Sequence, residues 1–146
     1  QGVKNIIDVG TGPGLPGIPL AILNPDINFT LLDSNGKKTR FLFQAINDLS
    51  IANAKEVNQR VEKYQSKSSF DIVVSRAFSS IPDMLNQCDH LVSKSGCFLA
   101  MKGKKPDSEL SQITKNYKVV DLSQVNVPKI DSERHLIKII KTDDSV

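Results

Sequence analysis

Apolar positions along the chain alternate between two patterns, short strand-like runs and longer stretches at helical spacing. Ile6, Ile7 and Val9 predict a short strand running into a glycine-rich turn, and Pro16–Leu23 predicts a helix closed by Asn24-Pro25. Asn28–Leu32 predicts a second strand that ends at Asp33. Lys37–Leu49 then reads as an amphipathic helix with Phe41, Leu42, Ala45, Ile46 and Leu49 on one stripe. Ala54–Gln59 is a weaker strand, and Phe70–Ser75, with Ile72-Val73-Val74, a strand buried on both faces. Ile81, Met84, Leu85, Cys88, Leu91 and Val92 fall at helical spacing, with Gly96 placed to stop that helix. Cys97–Met101 predicts a fifth strand and Pro106–Lys115 a helix. Lys118–Leu122 and His135–Lys141 predict the last two strands.

This alternation predicts a doubly wound, Rossmann-like α/β fold, a mostly parallel seven-stranded sheet with helices on both faces. The connection Val125–Arg134 is short and carries Pro128, so the last two strands lack a crossover helix. An antiparallel strand near one edge of the sheet is therefore expected. With no repeat, low-complexity tract or linker, residues 1–146 read as a single domain.

Composition narrows the function classes. Nineteen Lys and Arg against 16 Asp and Glu leave a net charge of +3, which argues against a general nucleic-acid condenser and leaves room for a local basic face. No apolar run approaches the roughly 20 residues of a membrane-spanning helix. The chain opens Gln1-Gly2-Val3 without Met or a signal-peptide pattern, and this start reads as trimmed or as an internal boundary. Cys88, Cys97, His90 and His135 show no metal-ligand spacing, so no metal is expected. Two buried free thiols in a reducing, cytoplasmic setting fit that cysteine usage.

Chemistry concentrates in Asp8-Val9-Gly10-Thr11-Gly12-Pro13-Gly14-Leu15-Pro16-Gly17, between the first strand and the first helix. Glycines there allow a sharp turn and close approach of a ligand to the main chain, beyond the carboxyl ends of the strands. Gly12, Gly14 and Gly17 match a dinucleotide GxGxxG, but that register begins two residues past the strand end. The register at the strand end is Asp8-x-Gly10-x-Gly12-x-Gly14. Pro13 and Pro16 each remove an amide donor that a pyrophosphate would use. The balance favours S-adenosylmethionine over a nicotinamide dinucleotide. A Cβ at Gly12 is expected to meet the ligand. Asp33, 23 residues beyond Gly10, is placed to accept both ribose hydroxyls, a feature common to both cofactor classes.

The residues from Asp8 through Leu20 resemble those of the bacterial small-subunit ribosomal RNA guanine-N7 methyltransferases, the glucose-inhibited-division B family. Leu31-Leu32-Asp33-Ser34, Lys37-Lys38, Arg40-Phe41-Leu42, Arg60-Val61-Glu62, Ser75-Arg76-Ala77-Phe78, Met101-Lys102-Gly103 and Glu133-Arg134-His135-Leu136 continue the match in order. The resemblance implies a class I methyltransferase fold and S-adenosylmethionine contacts at Gly10, Leu15, Val61, Glu62 and Arg76. Arg76 invites a functional reading on its own, because it directly follows a buried strand at the presumed crevice. Family members carry a helical segment before the first strand, which this chain is expected to lack.

Lys37, Lys38 and Arg40 follow the second strand, Arg76 the fourth, and Lys102, Lys104 and Lys105 the fifth. All are expected near the carboxyl edge of the sheet, where a basic rim suits RNA phosphates. Lys102, Lys104, Lys105 and Arg134 are the candidate RNA contacts. Phe78 is the best-placed aromatic for stacking, with a core role equally open. His135 would touch RNA, support the site, or sit half-buried and satisfied. The leading expectation is methyl transfer to N7 of a guanine in small-subunit (16S) rRNA, naked or in the assembled subunit, by a monomer. Guanine N7 carries no proton, so no catalytic acid or base is expected. The alternatives are a nicotinamide-dependent oxidoreductase and a non-catalytic rRNA-binding module with a vestigial cofactor pocket.

Overall fold

Buried Ile6, Ile7 and Val9 build β1 (Asn5–Val9) into the middle of a seven-stranded sheet. The computed structural model describes residues 2–142. The other elements are α1 (Gly17–Leu23), β2 (Asn28–Asp33), α2 (Gly36–Asp48), β3 (Ala54–Asn58), β4 (Phe70–Ser75), α3 (Ile81–Cys88), β5 (Val92–Lys102), α4 (Asp107–Leu110), β6 (Tyr117–Gln124) and β7 (His135–Lys141). Strand order is β3-β2-β1-β4-β5-β7-β6, and β7 runs antiparallel to both of its neighbours. The expected antiparallel strand thus lies one place in from the edge, between β5 and β6.

Period-two alternation sends β1 side chains to two cores. Ile7 and Val9 join α3, Phe98, Ile137 and Ile139 on one face. Ile6 joins Ile18 and Ala21 of α1 and Leu42 and Ile46 of α2 on the other. The chain leaves β1 toward β2 and β3, and later returns on the other side of β1 to lay down β4 and β5. Order therefore reverses between β1 and β4, the place where open α/β sheets bind ligands.

The starts of α2 and α3 are capped by side chains. Asn35 Oδ1 accepts from the Lys37 and Lys38 amides at 2.9 and 3.3 Å. Ser80 Oγ accepts from the Asp83 amide at 3.2 Å.

Three expectations need correction. Phe41 and Leu49 are 56% and 59% exposed, because Leu42 and Ile46, one turn apart, take the buried stripe with Thr39. Gly96 stops no helix: α3 ends at Cys88, a 3₁₀ turn covers Asp89–Leu91, and Gly96 lies inside β5. There a Cβ would stand 2.6 Å from the Asp71 carbonyl, beside the register shift between Phe70 and Ile72. The helix expected over Pro106–Lys115 is the single turn α4, and the chain continues through turns into β6. Among the described residues no helix is long and apolar enough to cross a membrane.

Candidate cofactor and substrate site

The turn after β1 is fastened from below by a buried carboxylate. Asp8 is fully buried, and its Oδ2 accepts from the Thr11 hydroxyl at 2.7 Å and the Gly17 amide at 3.0 Å. Asp8 Oδ1 has no partner among the described residues. Burial pushes the Asp8 carboxyl up to about 7, and Asp33 adds to the rise. The Thr11 and Gly17 hydrogen bonds and the Arg76 guanidinium oppose it.

Two glycines of the turn do different work. Gly17 carries α1 close over β2, since a Cβ there would run into the Leu31 side chain and approach Asp8 Oδ2 to 3.0 Å. Gly12, at φ +59°, has nothing within 4 Å of a built Cβ. Its left-handed conformation favours glycine, and the space beside its Cα is open although the residue itself is buried.

Asp33 ends β2 beside this turn, with Oδ2 accepting from the Gly12 amide at 2.9 Å and Oδ1 from the Asn35 amide at 2.9 Å. A crevice of about 210 Å³ opens between the two halves of the sheet, lined by Gly10, Asp33, Val61, Glu62, Ala77 and Phe78 among others. Four residues expected at the cofactor, Gly10, Asp33, Val61 and Glu62, thus meet in one place, and Gly12 adjoins them through its bond to Asp33.

Leu15 and Arg76 stand apart from that crevice. Arg76 Nε donates to the Leu15 carbonyl at 3.0 Å, tying the end of β4 to the glycine turn. Arg76 also lines a second cavity of about 560 Å³, with Met101, Arg134 and His135. Residues 76–78 therefore divide the two spaces. Of the expected RNA contacts, Lys104, Lys105 and Arg134 are exposed. Lys105 lies 3.5 Å from Asp107. Lys102 is turned inward, donating to the Phe78 carbonyl at 3.0 Å and pairing with Glu109 at 3.1 Å. Phe78 is half-buried and packs on the core while facing the crevice.

Sequence reasoning did not select Gln59, Arg60 and Gln87 as crevice residues, nor Val125 and Val127 as walls of the second cavity. Gln87 is a polar position on α3, and only the folding of α3 beside the switch point brings it there. Arg60 was legible as part of Arg60-Val61-Glu62, without a role.

The crevice suits a nucleoside with an adjoining chain. The space over Gly12 admits a group against bare backbone, and each Asp33 oxygen, already holding one amide, keeps a lone pair for a hydroxyl.

The profile of the GidB family, described as rRNA small subunit methyltransferase G, matches residues 1–137. The chain is 55% identical over 140 residues to the ribosomal RNA small subunit methyltransferase G of Shewanella pealeana, covering 96% of this chain and 68% of that protein. It is 51% identical over 138 residues to the protein of the same name from Idiomarina loihiensis, covering 94% and 67%. Among solved structures, coclaurine N-methyltransferase bound to N-methylheliamine and SAH superposes with a TM-score of 0.71 at 11% identity, over 86% of this chain and 47% of that one. An rRNA methylase from Streptococcus thermophilus gives a TM-score of 0.67 at 13% identity, over 95% and 87%. At such identities the structural likeness concerns the fold alone, the class I methyltransferase arrangement.

Proposed function

We infer, from the premise that the chain belongs to the GidB family of rRNA small subunit methyltransferase G, that it transfers the methyl group of S-adenosylmethionine to N7 of a guanine in small-subunit (16S) rRNA. The observation that carries this reading is the convergence of Gly10, Asp33, Val61 and Glu62 on one crevice at the point where strand order reverses. Family membership and this crevice together favour an enzyme over an oxidoreductase or an rRNA-binding module with a decayed pocket. We take the working unit to be one domain and a cytoplasmic monomer.

Asp33 would hold the ribose hydroxyls, Val61 and Glu62 would flank the adenosine, Gly10 would line the crevice with its Cα packed on Ala77, and Gly12 would let the remainder lie against the main chain. Bound there, S-adenosylmethionine supplies an electrophilic methyl group on a sulfonium sulfur. Guanine N7 offers a lone pair and carries no proton, so no side chain has to remove one. The chain's task is to align the base and keep water out. Arg76, held on the Leu15 carbonyl between the two cavities, contributes position and charge. Exposed Lys104, Lys105 and Arg134 would meet phosphates.

Calorimetry with S-adenosylmethionine and with NAD, followed by mass mapping of rRNA methylated by the protein, tests the reading. Binding of S-adenosylmethionine and a methyl mapped to guanine N7 are expected. Tight NAD binding without S-adenosylmethionine binding would overturn it.

A further inference from the structure

We propose that the second cavity receives the target guanine, and that His135 reads its Watson–Crick edge; this rests on the methyl-transfer reading above. The cavity, about 560 Å³, lies within the ~300–1,000 Å³ range of ligand clefts. It adjoins the cofactor crevice across residues 76–78, as an acceptor site must. Met101, Val125, Val127 and Leu136 give it apolar walls suited to the faces of an unstacked base. Arg76 and Arg134 supply donors only, and His135 supplies the opposite function.

The polarity of His135 is set by its geometry. His135 is 8% exposed, and Nδ1 lies 2.8 Å from the Gly103 carbonyl oxygen. A carbonyl oxygen only accepts, so Nδ1 carries the proton and Nε2 of the neutral ring is an acceptor. Nothing among the described residues bonds Nε2. His135 pairs with Lys102 on the far side of β5 from β4, so it belongs to the wall away from the cofactor crevice.

Guanine fits this arrangement in one sense. Its N1–H and N2 amino donors face the Nε2 acceptor, O6 accepts from a guanidinium, and N7, on the opposite side of the base, is left free toward the methyl donor. Adenine presents an acceptor at N1 and a donor at N6, so it meets Nε2 lone pair against lone pair and guanidinium donor against donor. Buried polar groups left unpaired in this way reject a wrong ligand more strongly than apolar contact does.

The test uses protein labelled with ¹⁵N at histidine and saturated with S-adenosylhomocysteine, titrated with millimolar guanosine monophosphate and then with adenosine monophosphate. The guanine nucleotide should move the unprotonated Nε2 resonance of His135 upfield, the direction of an accepted hydrogen bond, and the adenine nucleotide should not. Calorimetric binding of S-adenosylhomocysteine is measured first. Its failure would sink the methyl-transfer reading, whereas normal binding with an unmoved His135 resonance, or one moved equally by both nucleotides, overturns the guanine pocket alone.

Two variants extend the test to small ribosomal subunits lacking the modification. His135→Asn keeps a donor for the Gly103 carbonyl and loses the distal acceptor. His135→Gln loses the bond to Gly103 and keeps a distal amide. At unchanged thermal midpoint and cofactor affinity, His135→Asn should lower single-turnover methylation by at least about tenfold, with His135→Gln retaining more activity. Equal activity of His135→Asn and wild type would refute the role. A loss matched by a fallen midpoint would refute it too if the nucleotide titration shows no guanine preference.

Discussion

The Gly12 amide donates to Asp33 Oδ2 at 2.9 Å, so the side chain proposed to hold a ribose also holds the glycine turn. On that proposal, binding and architecture share one carboxylate. Asp33→Ala should therefore do two things at once. Loss of charged hydrogen bonds to the ribose should weaken S-adenosylmethionine binding by about 2–3 kcal/mol, or roughly 30- to 150-fold. The Gly12 amide, left buried without a partner, should also cost about 1–3 kcal/mol of stability, while the freed Asn35 amide sits at the exposed start of α2. Calorimetry and urea unfolding on the same preparation separate the two. Unchanged affinity would move the ribose elsewhere.

Gly12 and Gly17 should fail in different assays. Gly12→Ala places a Cβ in open space at φ +59°, a backbone cost of about 1–2 kcal/mol, so the fold should survive while cofactor binding is largely lost. Gly17→Ala pushes on Leu31 and Asp8, an overpacking cost of about 1–3 kcal/mol that should appear mainly in the thermal midpoint. Equal effects of the two on cofactor affinity would contradict this division.

Asp8 sets a pH dependence of stability. Its carboxyl is raised from 3.8 to about 7, so the folded state binds a proton that the unfolded state has already released between those values. Stability from this group falls as pH rises through that window, by about 4 kcal/mol in total, and the full cost is present above pH 7. Asp8→Asn removes the titration. Urea midpoints at pH 5 and pH 8 should show the variant gaining on the wild type at the higher pH. A difference that is constant across pH would mean the carboxyl is not raised.

Among the basic residues of the rim, Lys102 should behave unlike its neighbours. Lys104→Ala, Lys105→Ala and Arg134→Ala should each reduce the slope of log RNA affinity against log salt, by about 0.7–0.9 for each phosphate left without its cation, with little change in stability. Lys102→Ala unpairs Glu109 and the Phe78 carbonyl, both partly buried, and should lower the thermal midpoint. A normal midpoint for that variant would show the tie to be dispensable.

The order of elements was readable because it rests on local periodicity, and the glycine turn because its residues are contiguous. What escaped depends on packing between distant parts of the chain. Gly96 looks like a helix stop until β5 is laid against β4, where it makes room for the Asp71 carbonyl. Phe41 sits on an apolar stripe by spacing, yet the sheet reaches only the Leu42 and Ile46 side of α2. Lys102 reads as a free cation until Glu109 of α4 folds over it. The polarity of His135 is set by Gly103, 32 residues earlier in the chain, through a strand pairing that no spacing announces.

The insertion of β7 between β5 and β6 also gives the molecule an order of assembly. β6 is synthesised before β7 but hydrogen-bonds to the sheet only through it. A ribosome that has made residues up to 124 has made a strand with no sheet neighbour. Arg134 and His135 arrive with the strand that closes the gap, so a nascent chain completes the crevice at Asp33 before it completes the cavity beside it. Any chain stopped short of His135 keeps the glycine turn and Asp33 while losing a wall of the second cavity and the anchorage of β6.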